Sequence, residues 1–278
     1  MNKPFSKDPE RRTIAATVEI PNKSIQPVVA SPVPEKNALG LWGTLAFGLV
    51  IGITALAAQS FAGFTIGLLK AFSKPGMDSF ALGAYVASVA GLILSTGTVA
   101  SAIAGIGIMA IVVRARTGRS LADYVGLDRL KGKTVLLGLI VAIASIIAMD
   151  GLTTLLHHTA SDFMIKAYDT SVWPVLLWIA VVVFAPAFEE VFFRGFLFEG
   201  LRRSRIGAVG TVTLTSLLWA ALHVQYGFFE IAMIFGLGIV LGVVRIRTGS
   251  LWSTLVIHAF VNLVATYQTA AGMSSLFG

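Results

Sequence analysis

"VWPVLLWIAVVVFAPAFEEVFFRGFLFEG", Val172 to Gly200, decides how the whole chain is read. Its first half is an apolar run. With its continuation it is long enough for the roughly 20 helical residues that cross a bilayer. Its second half sets Glu189, Glu190 and Arg194 into the same apolar surroundings. Ionisable groups inside a span are costly and point to function by default.

Working outward, similar runs recur along most of the chain. Of its 278 residues, 56% are hydrophobic and 13% charged, where an ordinary soluble domain carries roughly 25% charged residues. The apolar segments fall at about 39–69, 79–113, 134–156, 172–200, 207–223, 228–245 and 250–270. They do not alternate as the strands of a membrane barrel do. The pattern predicts an all-α, polytopic membrane helical bundle of seven transmembrane helices. The number rises to eight if 79–113 crosses twice, with "STGT" at Ser95–Thr98 as the break.

The net charge of +7 sits mostly in short loops beside these segments. With seven spans and the N-terminus inside, the loops 114–133, 201–206 and 245–249 collect Arg114, Arg116, Arg119, Arg129, Lys131, Lys133, Arg202, Arg203, Arg205, Arg245 and Arg247 on the cytoplasmic side. Only Lys70, Lys74 and Lys166 fall on the other side. This is a positive-inside distribution. It predicts the N-terminus cytoplasmic and the C-terminus outside; the expected location is an integral position in a bacterial plasma membrane. The basic charge therefore belongs with the lipid bilayer, and no nucleic-acid partner is expected. Residues 1–38 are polar and proline-rich and lack the apolar core of a signal peptide. They are predicted to be a disordered cytoplasmic tail ahead of a membrane domain at 39–278. With no cysteine, disulfides and thiolate metal sites are ruled out. The small pairs Gly63/Gly67 and Gly238/Gly242 are read as helix-packing positions.

The polar residues within spans make a short set: Asp150, Glu189, Glu190, Arg194, His223, His258 and Asn262. Glu190 and Arg194 stand four apart, share a helix face and can pair. Glu189 lies about 100° around the helix from Glu190, so it faces elsewhere. Pro186 removes a backbone donor just ahead of them. Trp219 and His223 are again four apart, as are His258 and Asn262. A lone apolar-face histidine is usually a satisfied core residue. Here two histidines, an amide and an unpaired glutamate come from three spans of one bundle.

These types suit hydrolysis of a carbonyl compound. A carboxylate with an imidazole can take a proton from water. A second imidazole and an amide can donate to an oxyanion. The alternative is that Glu189, His223 and His258 hold Zn²⁺, with a water in the open position. Intramembrane carboxylates and histidines also build proton relays. No matching repeats or interrupted helices of the transporter kind are present in the sequence.

The motifs "EEVFFR", "WAALH" and "HAFVN" together resemble those of the CPBP family of intramembrane proteases, the CAAX-processing and bacteriocin-processing or Abi-type proteins. The family pattern has Glu-Glu-x-x-x-Arg, matched by Glu189, Glu190 and Arg194. Its second motif is Phe-x-x-x-His, matched by His223 with Trp219 in place of the phenylalanine. Its third is His-x-x-x-Asn, matched by His258 and Asn262. The resemblance covers about 172–266. It implies an endopeptidase acting on peptide or membrane-protein substrates. In it Glu189 is the base working with His223 on a water, His258 and Asn262 form the oxyanion site, and Glu190 and Arg194 support them. It is compatible with a glutamate mechanism that needs no cofactor and with zinc. A non-catalytic bacteriocin immunity or scaffolding protein is the alternative within the same family.

Overall fold

The computed structural model describes residues 39–127, 130–159 and 161–273. The tail expected over 1–38 lies outside the described residues. Ten helices follow one another, with no strand among the described residues: α1 Leu41–Phe72, α2 Ser79–Ala87, α3 Ala90–Thr117, α4 Leu121–Val125, α5 Gly132–Leu155, α6 Asp162–Asp169, α7 Pro174–Arg202, α8 Gly207–Ala221, α9 Phe228–Thr248 and α10 Leu251–Ala270.

Five of these, α1, α3, α5, α7 and α9, are long and apolar enough to cross a membrane. Only 22% to 39% of the most apolar window of each is buried within the protein. The rest faces outward, an arrangement that water penalises and lipid accepts. The fold is therefore a helical membrane bundle. The two other long segments differ for identifiable reasons. Helix α8 is apolar but has 15 residues. Helix α10 has 20 residues but carries His258, Asn262 and Gln268.

The segment 79–113 breaks earlier than its sequence suggests. The interruption falls at Ser88–Val89, and Ser95–Thr98 lies well inside α3. The Ser95 and Thr96 hydroxyls do not disturb the helix because they bond back to their own turn. Ser95 Oγ donates to Gly91 O at 2.6 Å and Thr96 Oγ1 to Leu92 O at 2.9 Å. With nine residues, α2 spans about 14 Å and is too short to cross.

Three pairings build the bundle: α1 on α3 and α8 on α9 run antiparallel, while α5 and α10 run parallel, with Gly138 beside Val256 and Asp150 beside Gln268. At the last of these, Gly238 and Gly242 are buried. A Cβ on Gly238 would come within 2.9 Å of Ser216 Cβ, and one on Gly242 within 2.7 Å of Val212 Cγ1. Both glycines are there to let two backbones approach. Helix α7 runs through the middle, touching α1, α3, α8, α9 and α10. Its residues Glu190 to Phe198 are all buried. Elsewhere, the intramembrane Asp150 accepts from Gln268 Nε2 at 2.8 Å, joining α5 to α10.

Candidate active site

Helix α7 is not uniformly α-helical. Residues 180–184 and 190–197 are wound as π-helix, and the Ala185 N–H reaches back five residues to the Ala180 carbonyl. Pro186 follows the first wide turn. A helix that must accommodate a residue without an N–H is eased by such a register change, and wide turns of this kind are frequent at functional sites.

Within the second π-helical stretch, Glu190 and Arg194 are both fully buried, and Arg194 Nη1 donates to Glu190 Oε1 at 3.0 Å. The pair foreseen from spacing is present. It is also tied to three other helices. Arg194 Nη2 donates to the Gly238 carbonyl of α9 at 3.3 Å. The guanidinium lies 4.4 Å over the Trp219 ring of α8. On the other side, His258 Nδ1 of α10 stands 3.0 Å from Glu190 Oε1. An ionised carboxylate only accepts, so the Nδ1 of His258 carries the hydrogen by this assignment.

Glu189 faces a different way, and its side chain is 21% exposed. Its Oε2 accepts from Trp219 Nε1 at 2.5 Å and lies 3.8 Å from His258 Nε2. His258 thus stands between the two glutamates, one at each ring nitrogen. His258 therefore stands beside Glu189, and His223, which the sequence reading pairs with Glu189, meets the same Trp219 ring. His223 lies in the turn after α8. Its Nδ1 is 2.7 Å from the Trp219 carbonyl, and its ring is 5.4 Å from the Trp219 ring. Asn262 is one turn along α10 from His258, and its Nδ2 donates to the Val181 carbonyl of α7 at 2.9 Å. One of its two N–H bonds is committed to the first π-helical turn.

Zinc would need three of these donors converging at about 2.0–2.2 Å on one point. Among the described residues no group of three His, Asp or Glu side chains is placed to hold a metal. Glu189, His223 and His258 do not assemble as such a set.

Beyond His223, a cavity of about 400 Å³ opens between the 158–163 and 225–230 segments, lined in part by Tyr226 and Glu230. The Tyr226 ring stacks 6.0 Å from that of His223. Burial, helped by the charges of Glu189 and Glu230, pushes the Tyr226 phenol above its ordinary range.

Sequence reasoning passed over one residue of this region. Arg245 is 3% exposed. Its Nε donates to the Arg194 carbonyl at 3.0 Å, and Nη2 donates to Val125 O at 2.8 Å and to Glu199 Oε1 at 3.2 Å. Nη1 donates to Gly249 O. By position in the sequence it reads as a loop charge. Gly126 makes room for it, since a Cβ there would lie 3.1 Å from both Nη atoms.

Residues 171–264 match the family model described as Type II CAAX prenyl endopeptidase Rce1-like, in keeping with the CPBP resemblance. That span contains Glu189, Glu190, Arg194, Trp219, His223, His258 and Asn262. The match supports a membrane protease role at the level of the family. An "Uncharacterized 24.3 kDa protein" of Escherichia coli is 35% identical over 108 residues, which are 36% of this chain and 48% of that protein. The match thus spans about half the length of this curated relative. No solved structure matches.

Proposed function

We propose that this chain is an intramembrane endopeptidase of the CAAX-protease type, acting on peptide or membrane-protein substrates. The observation that carries the reading is the pair of adjacent glutamates on α7 with His258 between them, Nδ1 on Glu190 and Nε2 facing Glu189.

In this mechanism Glu190, neutralised by Arg194, orients His258. Glu189 and the His258 Nε2 lone pair hold a water, and Glu189 takes its proton. The resulting hydroxide adds to the scissile carbonyl carbon. Asn262 has a second amide hydrogen for the oxyanion, and His223 can donate from Nε2 when protonated. When the tetrahedral species collapses, the C–N bond breaks and Glu189 returns its proton to the leaving amine. One amide and one water become one carboxyl and one amine.

The test is wild-type protein against Glu189→Gln in liposomes, with peptides released from a co-reconstituted peptide panel read by mass spectrometry. The expected loss is about 10²- to 10⁴-fold, the usual contribution of a general base. A Glu189→Gln protein that cleaves at the wild-type rate sinks the proposal.

We further propose a bacterial plasma membrane as the location, and orient the chain with its N-terminus cytoplasmic and its C-terminus outside on the arginine and lysine distribution of the loops. A reporter fused after Gly278 that proves active only in the cytoplasm overturns that orientation.

A further inference from the structure

One donor beside Glu189 has no part in the hydrolytic steps above. Trp219 is 2% exposed, and its indole Nε1 donates to Glu189 Oε2. An indole N–H is a donor only, so the direction of this bond does not depend on a tautomer or an amide flip. The same ring meets three further groups of the site. Arg194 lies 4.4 Å over its face, and the His258 and His223 rings meet it edge-on at 5.1 Å and 5.4 Å. Trp219 is thereby clamped by four neighbours, and its N–H direction is fixed before any substrate arrives.

Glutamate has three rotatable side-chain bonds, and Glu189 faces away from the buried ion pair. Left without a donor, its carboxylate would sample several rotamers and meet water in several geometries. A base works at its full rate only when held at the reacting atoms. Phenylalanine at 219 would keep a ring between Arg194 and His258 but could not donate.

We propose that Trp219 is a positioning residue for Glu189, its indole N–H holding one carboxylate oxygen so that the side chain stays at the water site beside His258. This deepens the endopeptidase reading and rests on Glu189 being its base.

Two measurements test it. In the liposome assay with the same peptide panel, Trp219→Phe is expected to lower kcat by about 10- to 100-fold with KM within a factor of about 3, as for a lost hydrogen bond to a charged group. Its thermal midpoint should stay within about 4 °C of wild type. Independently of activity, protein labelled with ¹⁵N-tryptophan should give five indole N–H resonances, one per tryptophan. The one lost in Trp219→Phe should also move in Glu189→Ala. A Trp219→Phe protein with wild-type kcat, or a Trp219 resonance indifferent to Glu189→Ala, overturns the proposal. If wild-type protein hydrolyses nothing while the resonance still answers to Glu189, the endopeptidase reading falls and takes this role with it. The resonance separates that case from a misplaced indole.

Discussion

Arg194→Met isolates what the buried pair contributes. Both partners are fully buried, and Arg194 Nη1 sits 3.0 Å from Glu190 Oε1. Methionine fills much of the space but leaves the Glu190 charge without its cation. Breaking a buried pair in this way costs about 3–5 kcal/mol, because the surviving charge is uncompensated. The guanidinium also lies 4.4 Å over Trp219, a contact worth about 2 kcal/mol when desolvated. The double variant Glu190→Gln/Arg194→Met removes both charges of the pair, leaves no orphan, and loses the ring contact and the Gly238 bond besides. It should therefore fall about 2 kcal/mol below wild type, less than the single variant. The assay is unfolding in mixed micelles with rising SDS fraction, followed by loss of helical circular dichroism. A single variant within about 1 kcal/mol of wild type refutes the reasoning, as does a double variant no more stable than the single.

Three further outcomes follow from other parts of the molecule. Gly91→Ala puts a Cβ 2.0 Å from the Ala167 carbonyl and 2.7 Å from the Ser171 nitrogen, both backbone atoms. It should lose about 1–3 kcal/mol in the same titration, and an unchanged midpoint would show that α3 does not approach the 167–171 backbone this closely. The Tyr226 phenol is pushed up mainly by burial. Its neutral form is the one the fold favours, so its contribution is constant below about pH 10 and falls as pH rises through the ordinary tyrosine range, where the unfolded chain ionises first. Tyr226→Phe should flatten that alkaline loss, and parallel curves for the two proteins would refute it. Arg245→Ala should raise amide exchange about tenfold or more in peptides covering 121–127 and 194–199. Peptides from α1 should not change, and a uniform rise would mean general loosening.

How far the sequence foretold this structure depends on the kind of interaction. Segment positions were legible because hydropathy alone fixes them: 134–156 became Gly132–Leu155 and 228–245 became Phe228–Thr248. The Glu190–Arg194 pair was legible because it lies within one helix, where spacing settles the neighbour. The alternative break at Ser95–Thr98 is not where 79–113 is interrupted, because hydroxyls look polar in a sequence but are satisfied by their own turn. That His258 lies beside Glu189 could not be read from spacing. Contacts between helices depend on their axial register, and Arg245, which ties α7 to α9 and to the 125–126 turn, carries no mark in the sequence beyond its charge. Trp219 looked like a simple exchange of aromatics, yet its N–H finds Glu189.

The wide turns of α7 give its 29 residues an adjustable register. Each π turn holds a residue more than the α path needs, so tightening one would rotate everything beyond it by about 100°. Glu189 would then swing away from Trp219 and His258. Two pins hold the setting, and each is driven from another helix. Asn262 of α10 grips Val181 in the first wide turn, and Arg245 of α9 grips Arg194 in the second. Helix α7 behaves like a vernier scale locked at two marks. A substitution at either pin, though made on another helix, would be felt as a change of aim at Glu189.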